Sequence, residues 1–307
     1  MCVVGPGSVW DGASTLRAED AAARGATNAF PAYRRPVMTW VPHYAVARSR
    51  ERLTALHGMP GPETVLTHLG LQFWAPTANG TLARVGAVAE TGDTAVRDWR
   101  DWAHARGIRL LLCVYNAPDH TWDWPMAKSA FAGKPGVFVE ALVAETRRLG
   151  LDGVDVDLEG NGSFEGDRTA FVDFVGMLSG RLHSEGLHLT VDTFAYVWNA
   201  PNQRWWPELL PLVDGLTTMG YEETGAGAPE WRSFAFQKAA AGGHASRLMI
   251  GLPADRAEWR GAALKVHLDW LEADGGVGVS FWDAQLDALP WRSPETWAAL
   301  GRIRAGR

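Results

Sequence analysis

The chain predicts an α/β fold of the (β/α)8 TIM-barrel type, and three observations carry that expectation. Eight short runs rich in Val, Leu, Ile and Thr recur along the chain. Segments of helical periodicity lie between them, several ending in Gly just before the next run. No linker rich in Pro, Gly or Ser interrupts residues 37 to 300. An open doubly wound sheet shares this alternation, but no G-x-G-x-x-G follows the first strand to support its dinucleotide-binding form.

In chain order, the strand candidates are 36–41, 65–74, 108–115, 151–159, 187–196, 213–221, 247–253 and 276–282. The clear helices are 93–107, 136–150, 168–186, 231–243 and 262–276, with shorter ones at 49–58 and 204–211 and a closing one at 293–306. Eight strands alternating with helices over about 270 residues is the rhythm of one closed barrel. This places a single domain at 36–307, with 1–35 as an N-terminal extension.

Composition excludes several classes. Hydrophobic residues at 47% and charged residues at 21% describe an ordinary globular chain. A net charge of −6 without any basic run argues against nucleic acid and against an anionic membrane. Cys2 and Cys113 are too few and too far apart for a disulfide framework, and neither has the spacing of a zinc site. The nine His form no H-E-x-x-H, and no G-x-S-x-G occurs, so no metal, no cofactor and no serine nucleophile is implied. As written, the start lacks a signal peptide, which predicts a cytoplasmic chain; a different start would allow secretion. Sixteen Trp residues exceed ordinary use, and flat aromatic faces both fill cores and stack on sugar rings.

The stretch LDGVDVDLEG, 151–160, holds the chemistry. In a strand, Asp155, Asp157 and Glu159 share one face while Val154, Val156 and Leu158 share the other. Flanked by helices, the aliphatic face should pack outward and the acids should look into the barrel. Carboxylates stacked roughly 6.6 Å apart at the Cα level in such a space cannot all stay ionised. One that keeps its proton near neutral pH is what a general acid requires, and Glu159 stands at the carboxyl end of its strand, where barrel active sites are built. A solvent-facing edge strand, a divalent-cation site and a structural charge network are the competing readings.

The pattern D-G-x-D-x-D-x-E, here Asp152, Gly153, Asp155, Asp157 and Glu159, resembles the catalytic signature of glycoside hydrolase family 18, the chitinases and endo-β-N-acetylglucosaminidases. LTHLGLQF at 66–73 is similar to the family's second strand, Met219 to Tyr221 to its Met-x-Tyr on the sixth, and SFWD at 280–283 to its eighth, so the resemblance covers about 36–300. Three departures stand out. The third strand reads LLLCVYNA in place of Ser-x-Gly-Gly, Gly160, Asn161 and Gly162 follow the acid in place of an aromatic, and Glu222 stands where Asp is usual.

The resemblance implies a retaining hydrolase of β-1,4-linked N-acetylglucosamine, in chitin-type oligosaccharides or the chitobiose core of N-glycans, with an oligo- or polysaccharide as its partner. Glu159 would be the acid, Asp157 would orient the substrate's acetamido group, Asp155 would share a proton with Asp157, Tyr221 would bind the acetamido carbonyl, and Trp282 would stack under the sugar. Met219 comes with the same sixth-strand motif. Strand position adds Trp40, Trp74, Tyr115, Asn116, Asp192, Tyr196 and Trp198 as rim candidates for substrate binding, and Trp122 and Trp124 as subsite walls or loop packing. A sugar-binding protein without catalysis is the alternative, and the presence of Glu159 counts against it.

Overall fold

The computed structural model describes residues 30–31, 33–55, 65–86, 92–219, 221, 224–253, 262–274, 276–287 and 289–306. Its strands are β1 (Val37–Pro42), β2 (His68–Pro76), β3 (Leu82–Arg84), β4 (Arg109–Tyr115), β5 (Gly153–Asp157), β6 (His188–Phe194), β7 (Gly215–Met219), β8 (Leu248–Pro253) and β9 (Gly278–Trp282). All but β3 are parallel neighbours in sequence order, and β1 pairs with both β2 and β9, which closes an eight-stranded barrel. Short β3, antiparallel to β2, had no sequence expectation.

The helices are α1 (Val46–Ala55), α2 (Thr94–His104), α3 (Trp124–Phe131), α4 (Pro135–Leu149), α5 (Arg168–His183), α6 (Trp206–Leu209), α7 (Phe234–Ala241), α8 (Ala262–Asp274) and α9 (Pro294–Ala305). Outward strand residues such as Leu69, Val114, Val154, Val156, Leu189 and Ile250 form one continuous core with the inner helix faces. Among the described residues no helix is long and apolar enough to cross a membrane.

Two local placements add to the sequence reading. Arg35, at the end of the expected extension, is anchored on the last two helices. Arg35 is 1% exposed and donates from Nε to Ile303 O and from Nη1 to Leu271 O at 2.6 and 2.7 Å, so α8 and α9 close on it. The segment HTWDWP is not wholly loop, because Asp123 caps α3 by accepting from Met126 N at 2.9 Å and Pro125 fits its first turn.

Inside the barrel, Met38, Trp40, Leu111, Cys113 and Met249 pack together beneath Trp282. The indole of Trp40 fits only because residue 70 has no side chain, since a Cβ there would lie 2.6 Å from Trp40 Cδ1.

Candidate active site

The acids of β5 divide between the two ends of the barrel. Asp152 precedes the strand and serves the amino-terminal end, where its Oδ2 accepts from Leu110 N at 2.7 Å and lies 2.9 Å from His104 Nε2. Asp155 and Asp157 point inward and are 0% and 3% exposed, while Val154 and Val156 go to the outer core. Glu159 stands two residues beyond the strand's last residue and is itself buried.

Each acid has its own support. Trp40 Nε1 donates to Asp155 Oδ2 at 2.8 Å, and Thr190 Oγ1 donates to its Oδ1. Gln72 Nε2 donates to Asp157 Oδ2 at 2.9 Å, whereas Asp157 Oδ1 is buried without a hydrogen bond of good geometry in the protein. Asn116 Nδ2 donates to Glu159 O at 2.7 Å and Asn116 Oδ1 accepts from Glu159 N at 2.8 Å. The next residue is also held, because Gly160 N donates to Ala200 O at 2.9 Å.

Burial dominates the electrostatics. It raises the Asp155 carboxyl, against hydrogen bonds from Thr190, Trp40 and Cys113 that favour the ionised form. It pushes Asp157 up to about 7, opposed by a hydrogen bond from Glu159 and reinforced by the charge of Asp155. Glu159 is held well above the carboxylate range by burial and then by the charge of Asp157. Enclosure thus favours the protonated form of Glu159, and the Asp155–Asp157 pair titrates as a unit.

Aromatic groups surround the acids. Tyr221 packs on Phe194, Ala195, Tyr196 and Met219, and its ring closes over residue 251, where a Cβ would come within 2.6 Å of Cε1. Burial, then the charges of Asp192, Glu159 and Asp157, hold the Tyr221 hydroxyl protonated. Trp282 ends β9 and leans on Trp40, with ring centroids 6.0 Å apart. Tyr115, in register with Asp157, places its hydroxyl 2.9 Å from His43 Nδ1. Tyr196 is buried, and Trp198, 55% exposed, stacks parallel to it at 5.9 Å.

The structure thus brings Asp155, Asp157, Glu159, Asp192, Tyr221, Trp282, Met219 and Tyr115 to one end of the barrel, with Tyr196 and Trp198 beside them. Trp40 and Asn116, expected at the substrate rim, direct their polar atoms to Asp155 and to the Glu159 main chain.

Trp74 requires a correction. The register slips between Gln72 and Trp74, so Trp74 pairs with outward-facing Val114 and enters the helix layer. There its Nε1 donates to Glu145 of α4 at 3.2 Å and Arg84 lies 5.0 Å from its ring. Trp124 also packs in the interior, stacked on Phe164 at 5.5 Å and donating to Asp167 at 2.9 Å, while Trp122 meets Tyr115 edge-on. Glu222 lies outside the described residues.

Sequence reasoning missed Gln72, Thr190, Cys113 and His43. The first three carried a usable signal, a polar side chain inside an apolar strand; His43, in a loop, carried none.

The fold is shared with solved structures of low sequence identity. The chitinase of Chromobacterium violaceum aligns with a TM-score of 0.65 at 19% identity, over 89% of this chain and 100% of that one. A class V chitinase from Pseudomonas fluorescens gives 0.64 at 16% identity, covering 87% and 98%. The spore cortex-lytic enzyme of Bacillus cereus gives 0.65 at 13% identity, covering 87% and 74%. No protein-family model and no curated protein matches the chain in sequence.

Proposed function

We propose that this chain is a retaining glycoside hydrolase of β-1,4-linked N-acetylglucosamine, working through the substrate's own acetamido group. One observation carries the reading: Asp157 and Glu159 lie buried together at the carboxyl end of the barrel, where enclosure favours the protonated acid. Solved structures of the same fold, named as chitinases and as a spore cortex-lytic enzyme, support this substrate class.

In the first step Glu159 gives its proton to the glycosidic oxygen as the bond to the anomeric carbon breaks. The acetamido carbonyl oxygen attacks that carbon from the opposite face and forms an oxazolinium ion. Asp157 Oδ1, buried and without a hydrogen bond of good geometry in the protein, accepts the acetamido N–H and balances the positive charge. Tyr221 donates to the acetamido carbonyl, and Trp282 and Met219 line the ring's other side. In the second step Glu159, now ionised, takes a proton from water, which attacks the anomeric carbon and restores the acetamido group with retention. Asp155 receives part of the proton shared with Asp157 through the cycle.

A 4-methylumbelliferyl chitobioside assay tests this reading. Glu159→Gln should lower kcat by about 10²–10⁴-fold with the fold intact, and Asp157→Asn should remove most activity. Analogues with a free 2-amine or 2-hydroxyl should resist cleavage, because neither forms an oxazoline. Wild-type binding of chitobiose without turnover would identify a lectin instead.

A further inference from the structure

Asp192 enters none of the steps above, yet it is a fourth carboxyl inside the same barrel. Alternation on β6 sends Thr190 and Asp192 inward, and Asp192 pairs in register with Thr217 of β7. It is 2% exposed, and its Oδ1 is buried without a hydrogen bond of good geometry, the Thr217 hydroxyl being the one protein donor that acts on the carboxyl. An apolar or amide side chain would fill this position at lower cost, because a buried carboxyl without its hydrogen bonds is destabilising. Its neighbours are the reacting groups. Burial, and then the neighbouring Asp155, Asp157 and Glu159 carboxyls, raise it well above its ordinary value against the Thr217 hydroxyl, and it is the foremost of the acids acting on Tyr221. A neutral carboxyl there can both donate and accept.

Building on the glycosidase reading, we propose that Asp192 is a specificity-determining residue, whose Oδ1 forms a hydrogen bond with a hydroxyl of the N-acetylglucosamine ring held against Glu159. Elimination selects a hydroxyl. Asp157 and Tyr221 take the two polar ends of the acetamido group and Glu159 takes the glycosidic oxygen. A ring in a β-1,4 chain then offers its C3 and C6 hydroxyls.

The test compares wild type with Asp192→Val, which keeps the branched shape and removes polarity, on the chitobioside and its 3-deoxy and 6-deoxy analogues at the reacting ring. Asp192→Val should lower kcat/KM on the parent by about tenfold or more and leave it within about twofold on one deoxy analogue, with Tm equal to or above wild type. Asp192→Asn, which retains a donor and an acceptor, should keep most of the wild-type preference among the three substrates. An equal loss on all three substrates would reveal only a structural role and overturn the assignment, as would no loss on the parent. If Asp192→Val does not fold, Asp192→Ala replaces it under the same criteria. Should wild type turn over none of the three, the glycosidase reading falls separately. The assignment is then decided by binding of chitobiose and its deoxy forms to wild type and Asp192→Val, where an unchanged preference overturns it.

Discussion

The side chain of Asn116 grips the main chain of Glu159 on both its polar groups, with bonds of 2.7 and 2.8 Å. The ladder between β4 and β5 stops at Tyr115 and Asp157, one residue short of Asn116 and two short of Glu159. The amide of Asn116 stands in for the next rung and fixes where the acid begins. Asn116→Ala would leave a buried N–H and C=O unpaired, at about 1–3 kcal/mol each. We expect a stability loss of about 2 kcal/mol in urea and a kcat lowered about tenfold or more with KM little changed. A kcat at the wild-type value would show that Glu159 is positioned without this clamp.

Asp157 should make stability fall with rising pH. Its carboxyl stays protonated up to about 7 in the folded chain, against an ordinary value of 3.8. Between those values the folded state holds a proton that the unfolded state has released. The group's contribution is therefore complete below about pH 4 and is lost as pH climbs through about 7. Asp157→Asn removes this titration and relieves its neighbours Asp155 and Glu159. The Tm of the variant relative to wild type should then increase from pH 4 to pH 8, by about 1.4 kcal/mol in stability for each unit of displaced pKa. Parallel Tm curves across that range would place Asp157 in an ordinary, ionised environment.

Trp40 and the glycine at position 70 should behave as one unit. Trp40→Phe deletes the donor to Asp155 Oδ2 and should cost about 1–3 kcal/mol. Gly70→Ala drives a methyl against the indole and should cost a similar amount, about 1–3 kcal/mol. Because the clash needs the ring of Trp40, Gly70→Ala combined with Trp40→Ala should lose less than the sum of those two single changes. Strict additivity in denaturant unfolding would mean that the two residues do not touch.

Trp74 provides a contrast, being a large aromatic at a strand end that faces away from the site. Trp74→Phe should leave KM and kcat within about twofold while lowering stability by about 1 kcal/mol or more, through lost indole packing and the lost hydrogen bond to Glu145. A large rise in KM with normal stability would put Trp74 in the substrate cleft.

Much of the barrel could be read from the chain because its signals are local. Each predicted run overlaps a strand, and the inward turn of Asp155 and Asp157 follows from the two-residue period of an extended backbone. The failures lie where that period breaks or where a contact joins distant segments. Simple alternation along β2 leads from Gln72 to Trp74, but the slip at Phe73 reverses the face. HTWDWP contains turn-forming and helix-starting residues together, and only the cap from Asp123 to Met126 settles where α3 begins.

By itself, the amino-acid sequence determined the closed α/β architecture, the inward ladder of acids and the end of the barrel where Glu159 emerges. Strand period, glycine stops and side-chain charge are properties of short segments and need no partner to be expressed. Tertiary structure alone decided which supports each acid receives. Trp40 reaches Asp155 across 115 positions, Gln72 reaches Asp157 across 85, and Asn116 reaches Glu159 across 43. Barrel closure brings those segments within hydrogen-bonding distance, and the enclosure it creates raises the carboxyls of Asp157 and Glu159 from ordinary surface acids to groups able to hold a proton.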